Sequence, residues 1–183
     1  MNAIEDTRHW LERAVIGLNL CPFAKAAHVK EQIRWVESPA ESPEQLLEDL
    51  ARELQFLAAA DPASVETTLL IHPRALTDFL DYNDFLDVAD AAVESLRLAG
   101  VLQVASFHPG YQFAGTAPDD VENLSNRSPY PTLHLLREDS IDAAVAACPE
   151  AASIYERNIE TLRRLGIQGW HALMAGPGEP PTR

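Results

Sequence analysis

A chain of 183 residues is long enough to bury one domain-sized core, and its 46% hydrophobic and 23% charged residues are the balance of an ordinary globular protein. Twenty-eight acids against 14 Lys and Arg leave a net charge of -14, which repels phosphate backbones and excludes nucleic acid as a general partner. Two cysteines make no disulfide framework, the N-terminus lacks the basic start and apolar run of a secretory signal, and no apolar stretch reaches membrane-spanning length, so the expectation is a cytoplasmic protein with no membrane partner.

Residues 5–18 put Trp10, Leu11, Ala14, Val15 and Leu18 on one helical face, and the helix should end near Asn19 because Pro22 disfavours helix at Cys21. Residues 31–37 read as a short strand. Ser42-Pro43-Glu44-Gln45 is a helix start, with a capping serine, a first-turn proline and a glutamine placed to complete a capping box. Leu46, Leu47, Leu50, Leu54 and Leu57 then form a buried stripe that Asp61-Pro62 stops. Glu66 to Ile71 reads as a largely buried strand. Phe79, Tyr82, Leu86, Ala89, Val93 and Leu96 recur at helical spacing up to the stop at Gly100.

Val101 to Phe107 and Thr132 to Leu136 read as two further strands, separated by a long insert rich in polar side chains. Ile141 to Leu165 reads as helix, interrupted at Cys148-Pro149, with Tyr155, Ile159 and Leu162 on its inner face; Ile167 to Leu173 is expected to be a last strand. From residue 66 the order is strand, helix, strand, strand, helix, strand. That order fits an α+β, two-layer ferredoxin-like sandwich with a βαββαβ core, preceded by an extra helix, strand and helix. The alternative is a mixed-sheet α/β arrangement with helices on both faces. One globular domain is expected over residues 1–174, with a flexible Pro- and Gly-rich tail at 175–183.

Two strands end in the same way, as TLLIHP and VASFHP. A helix joins them, so a β-α-β crossover makes them parallel and brings His72 and His108 to one edge of the sheet. The insert that begins there carries His108, Tyr111, Asp119, Asp120, Asn123, Asn126, Arg127 and Tyr130. A loop of that length in a compact domain is functional or disordered, and its aromatics and prolines argue for order. Arg127 lies in a proline-stiffened segment, and its planar fork suits a carboxylate or phosphate; the competing reading is an internal salt bridge to Asp119, Asp120 or Glu122. Arg137, at the end of the following strand, carries the same ambiguity. Tyr111, Phe113 and Gly115 would line an aromatic wall or close a satellite cluster under the loop.

These residues suggest a small enzyme acting on an anionic small molecule. In that reading His108, Arg127 and Tyr111 are the catalytic set, with His72, Asn126, Tyr130 and Arg137 around the ligand. Two alternatives stand beside it, a non-catalytic binding or regulatory module and a metal-dependent hydrolase drawing on His72, His108, His134, Asp119 and Asp120. No dedicated metal motif, glycine-rich phosphate loop or nucleophile elbow occurs, so no metal or other cofactor is assigned, and neither catalysis nor oligomeric state is determined. His134 stands between Leu133 and Leu135 and therefore faces away from both. Cys21 follows a helix C-terminus, where negative charge is disfavoured, and its apolar neighbours suggest a buried, inert thiol. Asp119-Asp120 reads as an acid/base pair or as the cap of a short helix.

Three segments in combination, LNLCPFA (18–24), FHPGYQFAG (107–115) and NRSPYPTLHLLRE (126–138), resemble the bacterial family catalogued as domain of unknown function 1415. The resemblance runs from about residue 5 to about residue 172. It implies a small bacterial protein and marks Cys21, Pro22, His108, Tyr111, Arg127 and Tyr130 as typical of the family, without giving any of them a role.

Overall fold

The structure is a computed structural model that describes residues 2–147 and 153–175. Helix α1 (Ala3–Trp10) starts where the Asn2 side chain accepts the Glu5 N–H at 2.9 Å. It widens without a break into a π-helical turn, Leu11–Ile16, that ends at Gly17. A Cβ at position 17 would lie 2.2 Å from the carbonyl oxygen of Arg13, so that close approach admits only glycine. The short helix α2 (Ala24–Val29) follows, an element the periodicity did not suggest. After strand β1 (Ile33–Glu37) comes helix α3 (Pro43–Ala59). Its serine cap is the expected one, the Ser42 hydroxyl accepting from Gln45 N–H, while the Gln45 side chain reaches back to Glu41 N–H at 2.9 Å, one residue before the cap.

Strand β2 (Thr67–Ile71) leads to helix α4 (Phe79–Ser95), which the Asp78 carboxylate caps through Leu80 and Asp81 N–H. Strand β3 (Leu102–Phe107), a 3-10 turn (Val121–Asn126) and strand β4 (Thr132–Arg137) follow, then helices α5 (Glu138–Ala147) and α6 (Ile154–Ala175).

The four strands form one mixed sheet in the order β1-β2-β4-β3. β1 and β2 are parallel, and β4 is antiparallel to both β2 and β3, so β2 and β3 point the same way. Alternation along the strands separates two cores. Leu70, Leu102, Leu133 and Leu135 pack with Leu46, Leu50, Leu54 and Leu57 of α3 and with Tyr82, Phe85, Ala89 and Val93 of α4. On the other face Ile33, Trp35 and Phe107 meet Trp10, Leu11, Ala14 and Val15 from the N-terminal helix, with Leu124 of the 3-10 turn and Leu162 and Trp170 of α6. The architecture is therefore a mixed α+β fold, the class expected, with a four-stranded mixed sheet and helices on both of its faces.

Several expectations need correcting. Residues 167–173 are helical, inside α6, with the kink at Gly166 (φ 66°), where a last strand was expected. The fourth position of the sheet is filled instead by β1, parallel to β2, so the βαββαβ order of the ferredoxin-like reading is not completed. Tyr155 is 52% exposed and does not belong to an inner face, although Leu162 does. The interruption at Cys148-Pro149 and residues 176–183 of the tail lie outside the described residues, while Ala175 closes α6.

Candidate functional site

The parallel run of β2 and β3 brings His72 and His108 to the same end of the sheet, where both pack on the Tyr82 ring at centroid distances of 5.7 and 5.0 Å. Each is held by backbone. The His108 Nδ1 accepts the Gly110 N–H at 3.0 Å, so Nε2 carries the proton and donates to the Leu76 carbonyl at 3.2 Å. Both ring nitrogens are thus committed, and the side chain is buried, which lowers its pKa despite the carbonyl bond. His72 donates from Nδ1 to the Ala75 carbonyl at 2.9 Å, and its Nε2 is buried without a partner. Burial first, and the neighbouring His108 further down, push its pKa to about 4, so the ring is neutral.

The loop is organised by Asn123, which is fully buried. Its Oδ1 accepts from Phe113 N–H at 2.9 Å and from the Thr116 hydroxyl at 2.8 Å, while Nδ2 donates to the Ala117 carbonyl at 2.8 Å. Arg127 does not pair with the acids beside it. Its guanidinium donates to the carbonyls of Tyr111 and Pro118, and Glu122 is taken by Arg163. Burial lowers the Arg127 pKa. The Tyr111 ring lies between Phe79 and Phe113, at 5.3 and 5.0 Å, as part of an aromatic cluster under the loop.

Asn126 donates to the Ser106 carbonyl, and the Tyr130 hydroxyl donates to Asp6 at 3.0 Å. Arg137 sits at the far end of β4 from the loop and binds the Leu57, Ala60 and Val65 carbonyls, closing the C-terminus of α3. Asp120 accepts from Ala117 N–H just ahead of the 3-10 turn, and Asp119 is exposed. Among the described residues no three His, Cys, Asp or Glu side chains converge into a set able to hold a metal ion.

A larger concavity lies on the α1/α6 side of the sheet. A cavity of about 820 Å³ opens over strand positions Ile33, Thr67, Leu69, His134, Ala105 and Phe107. Its walls come from Trp10, Leu11 and Val15, from the segment Cys21 to Ala27, and from Ile141 and Ala144 of α5. The lining is mainly aliphatic and aromatic, with Thr67 and His134 as polar positions on the floor and Gln103, Lys30, Gln32, Glu66, Arg137 and Ser140 as further polar residues around it. Cys21 borders this space and is partly exposed, where a buried thiol was expected. A second depression of about 410 Å³ runs along Asn2, Ile4, Glu5, Arg8, His9 and Glu12, a groove that among the described residues is lined by one helix.

At the cavity floor Thr67 and His134 form a relay. The Thr67 hydroxyl lies 2.6 Å from the Leu135 carbonyl and 2.8 Å from His134 Nε2. The imidazole also packs on Phe107 at 5.8 Å, and burial pushes its pKa down to about 4, so it is neutral at physiological pH. The strand alternation of Leu133, His134 and Leu135 was the legible signal for this residue. Thr67 and Gln103 had none, because only strand pairing puts them on the same face.

The family model for "Protein of unknown function (DUF1415)" matches residues 2–172, and the chain belongs to that family. No curated protein matches the chain. No solved structure matches it either. No helix among the described residues is long and apolar enough to cross a membrane.

Proposed function

We propose that this protein binds a small, largely apolar molecule in the cavity over the second face of its sheet, with His134 as the polar anchor. The observation that carries the reading is the cavity itself. Its volume of about 820 Å³ falls within the roughly 300–1,000 Å³ of ligand sites, and its apolar walls converge on few polar groups. Of the three readings the sequence left open, the non-catalytic binding module is the one retained. An acid/base role for His108 would require breaking its bonds to Gly110 and Leu76.

The test is equilibrium titration with the neutral dye Nile red. Saturable one-site binding to the wild type is expected, together with its loss in Ala105→Phe, which fills the floor beside His134. Circular dichroism checks that the variant folds. A wild type that does not bind, or a folded Ala105→Phe that binds equally, would end this reading.

A second reading concerns Arg127, whose guanidinium has no carboxylate partner among the described residues and retains N–H donors beyond the two carbonyl bonds. It is suited to a small anion at the loop. Phosphate titration followed by amide chemical shifts should move residues 111–127 in the wild type and not in Arg127→Met. Shifts that survive that substitution, or no shifts in the wild type, would remove Arg127 from consideration.

A further inference from the structure

The relay under the cavity has a determined direction. A hydroxyl has one proton, and the Leu135 carbonyl, 2.6 Å from Thr67 Oγ1, can only accept, so that proton points to it. Toward His134 the hydroxyl therefore presents a lone pair, and His134 Nε2 must be the protonated nitrogen of the 2.8 Å contact. The other nitrogen, Nδ1, is then an acceptor. It has no hydrogen-bond partner among the described residues, yet it is not sealed in the core as Trp10 Nε1, Thr68 Oγ1 and His72 Nε2 are. The surface it retains belongs to a side chain that lines the cavity.

Among the described residues no side chain answers this lone pair. The sheet neighbours of His134 on the same face are Leu69 and Ala105, and the ring beside it is Phe107. The guanidinium of Arg137 is turned to the carbonyls at the end of α3, and Lys30 is an exposed rim residue. An acceptor at the bottom of an apolar space selects a donor and repels another lone pair.

We infer that the cavity takes a neutral molecule whose apolar body carries a hydroxyl or N–H group, delivered to His134 Nδ1, and that it discriminates against carboxylates and against isosteres lacking the donor. The inference rests on the cavity-binding reading above. Thr67 is a positioning residue, since it acts by holding the tautomer of His134.

The experiment uses the full chain and three matched probes, 2-naphthol, 2-methoxynaphthalene and 2-naphthoate, measured by equilibrium dialysis. One good hydrogen bond in a dry site corresponds to about tenfold in affinity. 2-Naphthol should therefore bind about tenfold more tightly than either analogue. His134→Leu should bring it down to the level of 2-methoxynaphthalene. Thr67→Val should narrow the ratio by releasing the tautomer, and 15N spectra of the imidazole should change from Nε2–H in the wild type to a mixture.

Equal binding of all three probes by the wild type would overturn the donor inference while leaving the cavity reading intact. Binding of none would overturn both. A naphthol preference that persists in His134→Leu, or a wild-type spectrum showing Nδ1–H, would also overturn the inference; the spectrum needs no variant to fold.

Discussion

Lowering the pH from 7 to 5 should destabilise this protein through two histidines before its carboxylates titrate. His72 Nε2 is buried without a partner, and burial holds both His72 and His134 near pKa 4, against about 6.5 in an unfolded chain. As pH falls below 6.5 the unfolded chain takes up these protons and the folded one does not. Stability is therefore complete above pH 6.5 and is lost as pH falls toward 4. Each group contributes about 1.4 kcal/mol per pH unit over about 1.5 units down to pH 5, so each loses about 2 kcal/mol and the pair about 4. Folded His108, also shifted downward by burial, adds in the same direction.

Against a typical total of about 5–15 kcal/mol this loss is large. Urea unfolding followed by circular dichroism at pH 7, 6 and 5 measures it directly, and His134→Leu should remove about half the slope. A free energy of unfolding that changes by less than about 1 kcal/mol between pH 7 and 5 would refute the claim that these rings are buried and neutral.

Two further substitutions probe the frame around the sites. Arg34 donates to both oxygens of Glu53, at 2.7 and 3.2 Å, and its guanidinium lies 4.0 Å from the Phe56 ring centroid. Glu53 is only 4% exposed, so Arg34→Ala strands a buried carboxylate and should cost about 3 kcal/mol in urea unfolding, with part recovered in the Glu53→Gln double variant. Asn123→Ala removes the acceptor of Phe113 and Thr116 and the donor to Ala117. It should cost about 2 kcal/mol and speed amide exchange over residues 111–117 with little change in α3; uniform exchange behaviour would show that Asn123 does not organise the loop.

The legible parts of the fold were those governed by neighbours in sequence. The leucine stripe of α3 and its Ser42-Gln45 cap follow from 3.6-residue periodicity and local hydrogen bonding, and the first helix and β1 to β4 came from the same kind of pattern. The misreading at residues 167–173 is instructive. Ile167, Trp170 and Leu173 recur every three residues, which is helical spacing, and in the structure they continue α6 beyond a kink at Gly166. The His-Pro pairs and the polar loop drew attention for their chemistry. Yet the backbone there consumes it: Gly110 and Leu76 take both His108 nitrogens, and carbonyls take much of Arg127.

Sequence alone determined the family, the leucine stripe of α3 with its Ser42 cap, the net charge of -14, and that His134 faces away from Leu133 and Leu135. Only the tertiary structure decided the strand order, the helices on both faces, and the meeting of Thr67, His134 and the N-terminal helix around a cavity. The reason is range. Periodicity and capping act over a few residues, whereas the Thr67–His134 contact spans 67 positions and exists only because β2 pairs with β4 in one register.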